Sequence, residues 1–116
     1  ECGPLYDKLP ALGGKSFTGL LYELDIEGNI RYYQYYKDGF GDGEYITFYY
    51  NGAVASHCIM KGFSFVGKLY KRYRNGRLKC FYEKGQNRGY IRTIKFDENA
   101  NITLLVENGK TKIEKG

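Results

Sequence analysis

Tryptophan is missing from the 116 residues, and proline (two), histidine (one) and methionine (one) are close to missing. With one histidine there is no His-x-x-x-His pair, and no Cys-x-x-Cys spacing occurs either, so the usual zinc-ligand patterns are excluded. No apolar run approaches the roughly 18 residues that a membrane-spanning helix requires; the longest is Ile-Thr-Leu-Leu-Val at 102–106. Cysteine is scarce and odd in number, at three, which excludes a complete disulfide framework. Cys58 and Cys80 fall on equivalent strands of neighbouring repeats with one strand between them. Two strand spacings put them about 10 Å apart, beyond the roughly 7 Å between Cα atoms that a disulfide tolerates. Both read as small packed apolar residues, and the compartment stays open. Cys2, preceded by Glu1, reads as an ordinary cysteine and not as a lipid-modified one.

What the chain has in abundance is tyrosine (13) and glycine (16). Tyrosine suits a pleated, half-buried surface, and glycine at this density supplies turns that proline does not. Together they predict an all-β chain with many reversals. The glycines recur in series. Gly19, Gly43, Gly67 and Gly89 form one, Gly28, Gly52 and Gly76 a second, and Gly39, Gly62, Gly85 and Gly109 a third. Two places after each middle glycine stands Ile30, Val54 or Leu78, and Ile102 continues that series at the same 24-residue step. A fixed period of this length is the mark of a repeat array.

Each unit reads as strand, tight turn, strand, turn. Asn51-Gly52, Asn75-Gly76 and Asn108-Gly109 are strong turn signals, because both residues accept positive φ cheaply. In the fourth unit an Asp97-Glu98-Asn99 turn stands in for the middle glycine. Alternation at period two supports strands: Tyr22, Leu24, Ile26 and Ile46, Phe48, Tyr50 on first strands, Val54, Cys58, Met60 and Ile102, Leu104, Val106 on second strands. Glycine every ten residues or so would break a helix of this length. The fold expected is an antiparallel meander of about four tandem 24-residue β-hairpins in one curved, elongated sheet. Residues 1–14, with both prolines and Gly13-Gly14, read as an irregular cap, 15–109 as the repeat domain and 110–116 as a charged tail. A single layer leaves an apolar face uncovered, so the Ile46, Phe48 and Tyr50 face is expected to contact another element or chain, a homodimer being one way.

Catalytic machinery is not legible. His57 lies between Ser56 and Cys58, yet adjacent strand residues point to opposite faces, so it cannot readily activate either. Gly39-Phe-Gly-Asp-Gly43 looks like a phosphate loop, but a strand follows it, and such loops rely on a following helix N-terminus. Acidic residues are scattered. The expectation is no enzyme, no cofactor and no metal.

Charge is the informative feature. Residues 1–50 hold eight acidic and four basic residues, whereas 68–95 hold ten basic residues against Glu83 alone. In the third unit the first strand places Tyr70, Arg72 and Arg74 on a face that is otherwise apolar. Arg92 and Tyr82 are expected to share that face, with Arg77, Lys79 and Phe81 opposite. The candidate binding residues are Lys71, Arg72, Arg74, Arg77, Lys79, Arg88 and Arg92 with Tyr70, Tyr73 and Tyr82. A positive field of this kind attracts acidic partners.

The pattern Tyr-x-Asn-Gly-x-Leu, present as Tyr73-Arg-Asn-Gly-Arg-Leu78 and in shortened form as Tyr50-Asn-Gly-Ala-Val54, resembles the MORN repeat. It is most similar to the divergent bacterial form, which includes antitoxins of the YwqK family. The resemblance covers roughly residues 17–109; the Tyr-x-Gly start and His-Gly-x-Gly centre of the eukaryotic unit are absent. It implies an elongated meander of hairpins and a non-enzymatic, protein-binding role, with an immunity protein or antitoxin bound to its toxin as the leading expectation. Binding of nucleic acid or of an anionic membrane surface through residues 68–95 is the alternative.

Overall fold

A computed structural model describes residues 17–86 and 89–115. The expected cap at 1–14, Cys2 and Arg88 lie outside the described residues. Nine strands follow one another: β1 (Gly19–Leu24), β2 (Ile30–Lys37), β3 (Phe40–Phe48), β4 (Val54–Gly62), β5 (Ser64–Arg72), β6 (Leu78–Lys84), β7 (Tyr90–Phe96), β8 (Ile102–Glu107) and β9 (Lys110–Glu114). They form one antiparallel sheet in the order β1 to β9, each strand bonded to its neighbours in sequence. The expected meander is therefore present, as a single open, elongated sheet. It also runs further than the sequence reading had it, since residues 110–114 of the charged tail form β9.

The 24-residue period is a period of register. The pairs that flank the turns at one end of the sheet are Leu24 with Ile30, Phe48 with Val54, Arg72 with Leu78 and Phe96 with Ile102, each 24 residues beyond the last. Each follows a one-residue irregularity in the ladder, the signature of a β-bulge that tightens local twist. The first residue of each turn is Asp25, Tyr49, Tyr73 or Asp97, whose carbonyl accepts from the N–H of Gly28, Gly52, Gly76 or Ala100. Ala100 is thus the fourth member of the middle-glycine series, and it holds a positive φ of +67° where Gly28, Gly52 and Gly76 hold +88°, +86° and +90°. The polar turn expected at 97–99 leaves that position to a residue carrying a Cβ.

Register also assigns the faces, and here a correction is due. Tyr45, not Ile46, pairs with Cys58, and Ile46 pairs with His57. Beyond the turn bulges, apolar first-strand and second-strand residues such as Ile46 and Cys58 therefore lie on opposite faces. One face holds the core: Cys58, Met60, Phe65 and Leu69 are buried together, with Tyr45 and Tyr82 packed against them. Tyr36, Gln34 and Ser56 are buried as well. Across the other face runs a row of directly paired residues, Tyr22, Tyr33, Ile46, His57, Tyr70, Phe81, Ile94, Leu105 and Ile113, one from every strand. Apart from exposed Tyr22 its members are half-buried. Both faces are thus apolar along their midline. Ile46 and Phe48 are half-buried, Phe48 lying 6.2 Å from the Tyr33 ring, while Tyr50 is 76% exposed. No second layer covers this face among the described residues.

Cys58 is a free, buried thiol, and its burial pushes its pKa up to about 12. Cys80 is disulfide-bonded. The two are not joined to each other, as their strand positions required, but Cys80 is not the free packed residue expected from the sequence.

Candidate binding surface

All four 24-step turns sit at one end of the sheet, because every intervening strand reverses direction. Lateral hydrogen bonds lock the second turn to the third and the third to the fourth. The hydroxyl of Tyr49 donates to the Arg72 carbonyl at 2.6 Å, and that of Tyr73 donates to the Phe96 carbonyl at 2.8 Å. Asn51 Nδ2 donates to the Arg74 carbonyl at 3.3 Å, and Arg77 Nη1 to the Glu98 carbonyl at 3.0 Å. Within the turns, Asn51 and Asn75 each accept the N–H two residues on through Oδ1, at 3.0 and 2.9 Å, the local Asx turn that favours asparagine here. The sequence pattern therefore has a mechanical reading: tyrosine ties a turn to the next turn, and asparagine closes its own. It also corrects the alignment of the second unit. Tyr49, not Tyr50, is the counterpart of Tyr73, and Tyr50 points its ring into solvent.

The same end gathers most of the expected site. Arg72 lies over the Tyr70 ring at 5.9 Å, Arg74 over Tyr49 at 5.7 Å and Lys79 over Tyr73 at 5.6 Å. Arg72 also donates to the Gly76 carbonyl at 3.2 Å. Arg74 and Arg77 are exposed; Arg72 and Lys79 are half-buried. None of these four cations forms an ion pair among the described residues. Lys71 lies on the core face, opposite Ser56 and Cys80; burial first, then the Lys79 charge, holds its pKa below the ordinary lysine value. Such cation–ring contacts leave the charge available to a partner while fixing the side chain.

Two expected members fall elsewhere, and a third is not among the described residues. Arg92 is bound between Glu83 and Glu107, at 3.0 Å from each, so its charge is neutralised within the sheet. Tyr82 pairs with Leu69 on the core face, whereas Tyr70 pairs with Phe81 on the other, so the expected shared face of Tyr70 and Tyr82 and the opposite placing of Phe81 are both corrected. Arg88 lies outside the described residues. The sequence reading missed Tyr49, although its 24-residue spacing from Tyr73 was available to find it.

Concavities lie at both ends of the described sheet. An open cleft of about 700 Å³ lies at the opposite end of the sheet, lined by Phe40, Phe63, Phe65, Lys61 and Lys84 among others. Lys84 is held there by Ser64 Oγ and by the Phe65 carbonyl at 3.2 Å. A smaller slot of about 220 Å³ lies at the tyrosine-tied end, lined by Asp25, Ile30, Arg31, Phe48, Tyr49, Tyr50 and Arg74. His57 faces Glu44 at 3.4 Å on the apolar row, a distance at the long limit for a hydrogen bond. No group of three or more metal-ligating side chains occurs among the described residues, and no described helix is long and apolar enough to cross a membrane.

Comparison with protein-family models, with curated proteins and with solved structures finds no match.

Proposed function

We propose that this chain is a non-enzymatic binding module that docks an acidic protein surface through the Tyr/Arg-rich end of its sheet. The observation that carries this reading is the set of unpaired cations around the third turn. Arg72, Arg74, Arg77 and Lys79 have no carboxylate partner among the described residues, although Arg92 in the same sheet has two. Stability alone does not favour such clustering, since like charges repel; a partner that supplies the carboxylates does. Tyrosine and arginine are also the residues that dominate protein interfaces. The resemblance of Tyr73-Arg-Asn-Gly-Arg-Leu78 to the bacterial MORN-like repeat points the same way, to an immunity protein or antitoxin whose partner is a toxin.

The test is co-purification with the product of the adjacent gene, repeated with Arg74→Glu/Arg77→Glu and, as a control, Arg92→Gln. Capture by the wild type, lost in the double reversal and kept in the control, supports the reading. Deletion of the gene should also leave cells sensitive to that neighbour. No capture, with unchanged sensitivity, overturns it. The same cations beside tyrosine rings are also the arrangement that stacks bases and neutralises phosphates. Single-stranded RNA binding that weakens steeply with salt, or sedimentation with anionic vesicles, in place of protein capture would therefore replace this reading with the nucleic-acid or membrane-surface one.

A further inference from the structure

The lateral tyrosine contact occurs twice and is missing once. Tyr49 and Tyr73 each fill the space between their own turn and the next, their hydroxyls reaching the carbonyls of Arg72 and Phe96. At the equivalent place in the first turn stands Asp25, and the carbonyl that a tyrosine there would reach belongs to Phe48, 24 residues before Arg72. Asp25 spends its carboxylate locally, accepting the N–H groups of Glu27 and Asn29 at 2.9 Å each. Among the described residues no side-chain hydrogen bond joins the first turn to the second. The slot of about 220 Å³ opens at this place, with Asp25 and Phe48 both in its lining.

We propose that this slot is a receptor site for one phenolic ring, supplied by a tyrosine side chain of a protein partner. The shape of the missing group is given by the molecule itself: the ring lies as those of Tyr49 and Tyr73 lie, with its hydroxyl donating to the Phe48 carbonyl. Tyr49, itself covered by Arg74 at 5.7 Å, forms one side of the slot, and Arg31 of β2, paired with Glu23 at 3.4 Å, also lines it. A cavity of this size falls below the roughly 300 Å³ at which pockets for drug-sized ligands begin, and it suits a single ring. The identity of the natural occupant rests on the protein-binding reading above. The chemistry of the slot does not, so the two are tested apart.

The probe is 4-methylphenol, titrated against amide-labelled protein and followed by heteronuclear NMR, with toluene as the ring lacking the hydroxyl. Saturable shifts confined to Asp25, Ile30, Arg31, residues 48–50 and Arg74 are expected. Binding should be about fivefold tighter than toluene, the ratio that one net hydrogen bond of about 1 kcal/mol gives. The double variant Asp25→Tyr/Glu27→Asn installs the Tyr-x-Asn-Gly pattern in the first turn. Its own ring should occupy the slot and abolish the shifts. Equal binding of toluene and 4-methylphenol by the wild type overturns the proposal, whether or not the double variant folds. So do shifts spread across the sheet, or undiminished binding by a folded double variant. Loss of partner capture in Arg77→Glu/Lys79→Glu, neither of which lines the slot, with the phenol shifts intact would separate the charged surface from the slot.

Discussion

Removing the Tyr73 hydroxyl isolates what the lateral tie contributes. Tyr73→Phe keeps the ring, its packing and its contact with Lys79, and deletes only the donor to the Phe96 carbonyl at 2.8 Å. A buried or half-buried hydrogen bond of this kind is worth about 1 kcal/mol net, within a range of about 0.5–1.5. The turn end is partly open to water, so the Phe96 carbonyl can be rehydrated, and a loss of about 1 kcal/mol is expected. Urea denaturation should show a lower midpoint with an unchanged slope, and the melting temperature should fall by about 4 °C for a chain of this length. Tyr49→Phe deletes the equivalent bond to the Arg72 carbonyl at 2.6 Å and should cost about as much. The two tyrosines lie two strands apart and share no partner, so the double variant should lose about 2 kcal/mol, within about 0.5 of additivity. If both single variants unfold within 0.3 kcal/mol of the wild type (an estimate below the range for a net hydrogen bond), the tyrosines are not ties, and the reading of the empty slot as a missing tie falls with them.

Three further outcomes follow from single positions. Ala100 carries a Cβ at φ +67°, where Gly28, Gly52 and Gly76 carry none; Ala100→Gly should stabilise the fold by about 0.5–1 kcal/mol, since about 1–2 of left-handed strain outweighs the extra freedom gained by the unfolded chain, and a lower urea midpoint would contradict it. A Cβ at Gly41 would collide with the buried Gln34 Nε2 and approach the Gly62 carbonyl and Met60 Cβ at 3.2 Å each; Gln34 would have to repack and the backbone carbonyl to shift, so Gly41→Ala should destabilise by about 1–3 kcal/mol in the same assay. Burial raises the Cys58 thiol from 9.0 to about 12, so the folded state keeps the proton that the unfolded state releases first: stability from this group is intact below pH 9 and falls as the pH rises from there towards 12. At pH 8 the native thiol should resist a thiol-specific disulfide reagent and react fully in urea; rapid native labelling would refute that burial.

Spacing and composition alone were enough to place the turns. Asn51-Gly52 and Asn75-Gly76 act through local backbone preference, which needs no knowledge of neighbours, and the 24-residue step then forced equal hairpins into consecutive order. The same is true of the charge surplus at 68–95, which is a property of the sequence whatever the fold. Which of those cations stay unpaired was not legible in that way. Arg92 is neutralised by Glu83 and Glu107 only because pairing of β6, β7 and β8 brings three strands into one row. Face assignment failed for a related reason. Side chains alternate along each strand, but whether Ile46 shares a face with Cys58 depends on the register across the pair, which the turn bulges set.

By itself, then, the sequence determined the order and approximate limits of the four hairpins, though not the ninth strand at 110–114, because turns are local and the period is constant. Only the assembled sheet decided which side chains became neighbours. It put Tyr49 and Tyr73 against the carbonyls of the following turns, left Asp25 too short to do the same, and so opened a slot where the repeat is broken. Those relations join residues 23 or more positions apart, and they exist only once the strands lie side by side.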